Sequence, residues 1–154
     1  MQPKTRAWQT AVLWALVVLW AIFIFMMSVN TGSDLSGGGS FVSLVYNALQ
    51  DWQHQVFGPE VDIVTSAAHF CEYTVFGALL CYALGWRDPR WLFFVIAIVI
   101  GSLYGASDEV HQIFVPDRTA DVMDWLVDTC GTALGAVIAM GFLRLWDRDG
   151  KAAA

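Results

Sequence analysis

Ionisable side chains are concentrated between Tyr104 and Gly135, in a chain that is otherwise strongly apolar. Of its 154 residues, 57% are hydrophobic and 14% are charged. Carboxyl and imidazole groups can transfer protons, bind metal ions or hold a polar ligand. Because such groups are costly at membrane depth, their concentration here predicts a functional site. The polar residues of this stretch are Asp108, Glu109, His111, Gln112, Arg118, Asp121, Asp124 and Asp128.

A second polar group, His69, Glu72 and Tyr73, lies near the start of an earlier apolar segment. Spacings of three and four residues place such side chains on one helix face. The later stretch has similar spacings, and small residues on its last segment would allow close helix contact. We predict that the three polar faces converge in one pocket that opens to the outer surface. The later faces consist of Asp108, His111 and Gln112, and of Asp121, Asp124 and Asp128, followed by Gly131 and Gly135.

Several chemistries remain open for this pocket. Histidines and carboxylates are suitable metal ligands, but the chain has no H-E-x-x-H pattern, so the sequence predicts neither a metal site nor a cofactor. Glu72, Asp108 or His111 could act as an acid or base. The chain nevertheless lacks G-x-S-x-G and a Gly-rich phosphate loop, and no catalytic residue is assigned.

Arg118 is the basic residue of this polar stretch. Its guanidinium can hold a phosphate or carboxylate headgroup through two hydrogen bonds. Alternatively, it pairs with Asp121 or Asp124 and fastens the turn, and the whole cluster only holds helices together. Carboxylates outnumber cations here, so some carboxyl groups must be protonated or accompanied by a bound cation.

Four long apolar segments predict an all-α integral membrane protein, a four-helix bundle. The first is uncharged, would span about 33 Å as a helix, and is long enough to cross a bilayer. No small-x-small cleavage site follows it, so it is predicted to be retained. The third segment is expected to continue through its polar end. The segments are Ala7 to Ser28, Ile63 to Leu84 or Trp86, Trp91 to Gln112, and about Ala120 to Trp146.

An extra amphipathic helix is predicted from Phe41 to Phe57, in the first outer loop. Apolar residues recur there at helical spacing and polar residues take the other face, as in helices that lie on a membrane surface. A soluble capping helix would show the same pattern. We therefore divide the chain into a cytoplasmic N-terminus with the first transmembrane helix (1–28), an outer loop with the amphipathic helix (29–62), a three-helix core (63–146) and a cytoplasmic tail (147–154).

The basic residues predict the orientation. With a cytoplasmic N-terminus and four spans, Arg118 falls on the outer side and the other Lys and Arg, of 8 in total, fall on the cytoplasmic side. This asymmetry predicts a bacterial cytoplasmic (inner) membrane protein with both termini in the cytoplasm. The outer surface is acidic and lacks a basic patch, which argues against nucleic-acid binding.

The three cysteines, Cys71, Cys81 and Cys130, lie inside apolar segments. An odd number without a C-x-x-C pair argues against a disulfide framework or a thiolate metal site. We expect all three to be buried, as small apolar residues.

Three motifs resemble those of the VanZ-like family of small bacterial membrane proteins. HFCEY at 69–73 is similar to the family's H-F-x-E-Y. DEVHQIFVPDR at 108–118 is similar to D-E-x-x-Q-x-F-x-P-G-R, with Asp117 in place of the usual Gly. DWLVDTCGTALG at 124–135 is similar to D-x-x-x-D-x-x-G-x-x-x-G. The family often has a basic residue shortly before the His, and none stands at 65–68 here.

The resemblance implies a role in envelope physiology, because the founding member is associated with low-level teicoplanin resistance. We expect a polar outer-leaflet pocket that binds a lipid headgroup or similar group, with membrane lipids or a lipid-linked envelope precursor as partners. A membrane enzyme acting on a lipid-linked or phospholipid substrate is the first alternative, and a structural scaffold is the second. The oligomeric state stays open. The predicted pocket consists of His69, Glu72, Tyr73, Asp108, Glu109, His111, Gln112, Arg118, Asp124 and Asp128.

Overall fold

The computed structural model describes residues 3–29, 41–58, 62–116 and 118–152. These residues form five helices and no strand. Residues 30–40 and 59–61 of the predicted outer loop, and Asp117, lie outside the described residues. The helices are α1 (Pro3–Val29), α2 (Phe41–Phe57), α3 (Ile63–Gly85), α4 (Trp91–Gln112) and α5 (Val122–Ala152).

Four of the helices are long and apolar enough to cross a membrane. This confirms the predicted all-helical fold with four candidate spans and a shorter amphipathic helix between the first two. The candidate spans are Ala7–Val29, Ile63–Gly85, Trp91–Gln112 and Val122–Trp146.

Side-chain caps explain where two of the helices begin. The Asp62 carboxylate accepts a hydrogen bond from the Thr65 backbone N–H (3.1 Å), which satisfies a free donor in the first turn of α3. Asp121 Oδ1 accepts from the Met123 N–H (2.8 Å) in the same way. For this reason α5 begins at Val122 rather than near Ala120.

The far end of α5 also differs from the prediction. The helix continues to Ala152, through most of the segment expected to be a separate tail. No proline interrupts positions 147–152, and the helix continues there although Asp147, Asp149 and Gly150 are weak helix formers.

Small residues set the closest helix pair, α3 with α5. A Cβ at position 131 would lie 2.6 Å from the Phe70 carbonyl oxygen, and one at 135 would overlap the Thr74 carbonyl oxygen. Gly77 of α3 faces the Thr132 backbone in the same manner. The glycine stripe seen in the sequence therefore lets the two backbones touch.

Helix α1 packs against α3 and α4 and is anchored to them by two hydrogen bonds. Trp20 Nε1 donates to the Glu72 carbonyl oxygen (2.9 Å), and the Tyr104 hydroxyl donates to the Ala21 carbonyl oxygen (2.6 Å). Ile24 is buried, whereas most of the apolar side chains of α1 are exposed. Exposed apolar surface of this kind suits contact with lipid.

Helix α2 is joined to the start of α3 by a buried glutamine. Gln53 is 1% exposed, and its Oε1 accepts a hydrogen bond from the Val64 backbone N–H (2.7 Å). Its amide nitrogen donates to Gln50 Oε1 (2.9 Å). The apolar face of α2 stays exposed, with Phe41 and Leu44 among its most accessible side chains.

The cysteine prediction is wrong for two of three residues. All three are free, and Cys81 is buried, but Cys71 and Cys130 are exposed. In a helix with few polar residues, sequence periodicity does not separate positions that face the bundle from positions that face outward.

Candidate functional site

The polar ends of α3, α4 and α5 lie at one level of the bundle. His69 is six residues into α3 and Asp128 is six residues into α5, so each lies about 9 Å from its helix start. Asp108 is four residues, or about 6 Å, before the end of α4. Since α4 runs antiparallel to its neighbours, these ends meet at the same side.

A buried ion pair joins α3 to α5 at this level. His69 Nδ1 lies 3.2 Å from Asp128 Oδ1. Asp128 is 0% exposed and His69 is 7% exposed. The second carboxylate oxygen, Asp128 Oδ2, is buried without a hydrogen-bond partner among the described residues. It lies near Gly105, where a Cβ would come within 3.2 Å of it.

Helix α4 adds two buried carboxyl groups to this pair. Gln112 Nε2 lies 3.4 Å from Asp108 Oδ2 and 3.3 Å from Glu109 Oε1, and donates to both. Glu109 Oε2 accepts a hydrogen bond from the Asp121 backbone N–H (2.7 Å). The start of α5 and the end of α4 therefore hold the Glu109 carboxylate in a fixed orientation.

Together, these side chains form a four-residue polar cluster of His69, Asp108, Glu109 and Asp128. One ligand atom from each lies within 4.8 Å of the ligand atoms of the other three. All four residues are buried. Chemically, the cluster can coordinate a cation, accept hydrogen bonds or exchange protons with a bound group.

A cavity of about 600 Å³ opens beside the polar cluster, between α1, α2 and α3. Its wall is largely apolar and includes Ile24 of α1 together with Leu49 and Trp52 of α2. Four acidic or basic side chains lie in the same wall, namely His69, Glu72, Asp108 and Arg118. The cavity thus combines an apolar wall with a charged region that reaches the cluster.

A family model described as VanZ/LLP1 matches residues 13–144, which is most of the chain. The chain belongs to the VanZ/LLP1 family. The family resemblance read from the three motifs is therefore confirmed. No curated protein and no solved structure matches the chain.

The structure divides the ten predicted pocket residues of this VanZ/LLP1 protein among different surroundings. Glu72 and Arg118 line the cavity, while Gln112 supports the cluster. Asp124 is half-buried and accepts a hydrogen bond from Ser66 Oγ (3.2 Å). The His111 ring contacts Phe25 of α1, with 4.5 Å between ring centroids and an angle of 31° between the ring planes.

Tyr73 lies in the apolar core of this VanZ/LLP1 protein. It is 0% exposed and its ring contacts Phe76 and Tyr104. Its hydroxyl has no hydrogen-bond partner among the described residues. Tyr73 therefore supports the helices around the polar cluster and does not line the cavity.

Sequence reasoning missed the contribution of α1 and α2 to the VanZ/LLP1 site. Ser28 at the end of α1 is buried and lines the cavity, as does Tyr46 of α2. For α1, the sequence feature that could have indicated this role is a serine near the end of an otherwise uncharged span. For α2, the apolar face was predicted, but the sequence does not indicate that this face forms part of a cavity wall.

Proposed function

We propose that this VanZ/LLP1 protein acts in the bacterial envelope by binding an amphiphile, a lipid or a lipid-linked precursor, in the cavity between α1, α2 and α3. The observation that carries the proposal is the cavity's composition, which is apolar along α1 and α2 and ionisable where it meets the polar cluster. An acyl or isoprenoid chain suits the apolar wall, because burying it removes apolar surface from water.

The headgroup would lie against His69, Glu72, Asp108 and Arg118. The Arg118 guanidinium suits a phosphate or carboxylate group, to which it can donate two hydrogen bonds. The carboxylates of Glu72 and Asp108 suit hydroxyl or ammonium donors. A headgroup that carries a phosphate and also hydroxyl or ammonium groups would bind both the guanidinium and the carboxylates. The site therefore favours a phosphate-containing lipid over an uncharged lipid.

We place the protein in the cytoplasmic membrane, with both termini in the cytoplasm and the cavity in the outer leaflet. The distribution of Lys and Arg supports this orientation. The exposed apolar face of α2 supports an interfacial position for that helix. At the outer leaflet, the cavity would meet lipid-linked wall precursors, and the family's association with teicoplanin resistance suggests glycopeptide tolerance as a phenotype.

Native mass spectrometry of the full-length protein, released from mild detergent, tests lipid binding. We expect the wild type to retain a lipid mass and Arg118→Ala and Glu72→Gln to lose at least tenfold in occupancy. Arg90→Ala is the matched control, because Arg90 is exposed and pairs with Asp88 away from the cavity. A bare wild-type protein, or equal lipid occupancy in Arg118→Ala and Arg90→Ala, would contradict the proposal.

A cellular assay tests the envelope role separately. Cells that express the wild type should tolerate more teicoplanin than cells with Arg118→Ala, at equal protein level in the membrane. Arg90→Ala should keep the wild-type tolerance. Lipid binding without any difference in tolerance would leave a lipid-binding protein with a different role in the envelope.

An enzyme acting on the bound lipid is the second candidate. It is favoured by the position of Glu72 and Asp108, whose carboxyl groups line the cavity where the headgroup would lie and can donate or accept protons. Purified protein should then convert a lipid-linked substrate, and Asp108→Asn should reduce turnover per bound lipid to the background rate. Binding without turnover would favour the first candidate, and neither binding nor turnover would favour a scaffold.

A further inference from the structure

We propose that the polar cluster of His69, Asp108, Glu109 and Asp128 is a binding site for one divalent transition-metal ion. The proposal goes beyond the lipid-binding function and does not depend on it. It also replaces the expectation of no metal site, since that expectation rested on the absence of a local motif. Here the ligands come from three helices that are distant in sequence.

The distances suit a single ion. The four ligand atoms lie within 4.8 Å of one another. At metal–ligand bonds of about 2.1 Å, ligand atoms are about 3.4 Å apart around a tetrahedral ion and up to about 4.2 Å apart on opposite sides of an octahedral ion. The most distant ligand atoms of the cluster would therefore need to approach by roughly 0.6 to 1.4 Å, which side-chain rotation can supply.

The charge of the cluster favours a cation. Three carboxyl groups and one imidazole are buried together, so the ionised cluster carries an excess of negative charge even when His69 is protonated. Burying unbalanced charge is costly, and a divalent ion offsets most of that excess. Carboxylates at membrane depth need such compensation more than carboxylates in water do.

A buried carboxylate oxygen without a hydrogen-bond partner supports the metal site, independently of the short distances between the four side chains. Asp128 is 0% exposed, and its Oδ2 has no hydrogen-bond partner among the described residues. Buried carboxylate oxygens are rarely left in this state. Asp128 Oδ2 lies next to Gly105 of α4, and Gly105 is one helical turn before Asp108 and Glu109. A metal ion held by the carboxylates of Asp108 and Glu109 would therefore give Asp128 Oδ2 the interaction that it lacks.

The surrounding hydrogen bonds resemble the outer shell of a metal site. Gln112 donates to both Asp108 and Glu109, and the Asp121 backbone N–H donates to Glu109. Such bonds orient ligating carboxylates and are a common part of metal centres. His69 and Asp108 also line the cavity, which gives an ion a path to the cluster.

The donor set selects the class of ion. One imidazole nitrogen with carboxylate oxygens and no thiolate suits Mn²⁺ or Zn²⁺ better than the all-oxygen sites of Mg²⁺ and Ca²⁺. Full-length protein in detergent, stripped with a chelator, should bind one Mn²⁺ or Zn²⁺ per chain in a calorimetric titration. Bound Mn²⁺ should show electron-spin-echo modulation from one imidazole nitrogen.

Two isosteric variants and one control decide the matter. Asp128→Asn and Glu109→Gln should each weaken binding at least tenfold, whereas Asp88→Asn, at an exposed carboxylate away from the cluster, should bind as the wild type does. Metal should raise the unfolding temperature of the wild type and of Asp88→Asn, but not of the other two. No one-to-one binding, no nitrogen modulation, or equal binding by Asp128→Asn and Asp88→Asn would overturn the proposal.

Discussion

The contact between His69 and Asp128 connects the two helices that pack most closely in the bundle. It is short, buried, and placed where neither side chain can reach water easily. Removal of one partner from such a pair leaves the other as an uncompensated buried charge. The pair therefore matters for stability whether or not the cluster has a ligand.

We predict that His69→Ala lowers the free energy of unfolding by about 3 kcal/mol. The reason is the Asp128 carboxylate that the substitution would leave without its imidazole partner. The measurement is thermal or denaturant unfolding of chelator-treated protein in detergent. Arg90→Ala, which breaks an exposed pair with Asp88, should cost less than about 1 kcal/mol. Equal losses in both variants would show that the buried pair contributes nothing particular to stability.

At single residues, the sequence indicated which side chains were candidates but not which neighbours each would contact. His69 and Tyr73 are four residues apart and both are buried, but His69 belongs to the polar cluster and Tyr73 belongs to the apolar core next to it. His111 was predicted to share a face with Asp108, and the structure adds a contact of its ring with Phe25 of α1. Spacing fixes relative angles within one helix, whereas the rotation of that helix against its neighbours depends on packing that one sequence does not reveal.

At the scale of elements, glycines decide how closely α3 and α5 approach. Gly131 and Gly135 place the backbone of α5 directly against the carbonyl groups of Phe70 and Thr74. This contact also sets the separation of His69 and Asp128, which lie beside it. The sequence did predict this feature, because small residues at i and i+4 on an apolar helix indicate a close contact.

We predict that Gly135→Ala destabilises the protein by about 2 kcal/mol, because its Cβ would overlap the Thr74 carbonyl oxygen and lie 2.7 Å from Ala78 N. Gly141→Ala is the control on the same helix. A Cβ at position 141 has nothing within 4 Å, and alanine favours the helix by up to about 1 kcal/mol. Unfolding temperatures of the two variants should therefore move in opposite directions. A similar loss in both would mean that the glycines act through backbone flexibility alone.

Helix boundaries were predictable to within a few residues where a local signal marks them. The end of α4 at Gln112 was predicted, since no proline or glycine interrupts the polar end of that segment before Pro116. The contact between α2 and the start of α3 was not predictable, because it depends on the buried Gln53, whose side chain accepts a hydrogen bond from the Val64 N–H eleven residues away. Glutamine in an amphipathic pattern reads as surface, and its burial follows from tertiary packing.

For the molecule as a whole, the positions of the basic residues are the basis for predicting the membrane orientation. Arg87 and Arg90 lie exposed at the turn between α3 and α4. A contact between Gly85 and Leu143 places the later half of α5 at this same end, so Arg144 lies there as well. The polar cluster and Arg118 belong to the opposite end. The side with clustered Lys and Arg should remain in the cytoplasm, because translocating them is disfavoured.

We predict from this asymmetry that both termini are cytoplasmic and that α2 is on the outer side. A green fluorescent protein fused after Ala154 should fluoresce, since it folds in the cytoplasm, and alkaline phosphatase fused there should be inactive. Phosphatase fused after Gly58, at the end of α2, should be active because it would follow an odd number of spans. Exchanging Arg87 and Arg90 for glutamine should leave the C-terminal reporter unchanged, because the basic residues near both termini still favour this orientation. The opposite result in the unmutated chain, a dark fluorescent protein and an active phosphatase after Ala154, would reverse the assignment and place the cavity at the cytoplasmic leaflet.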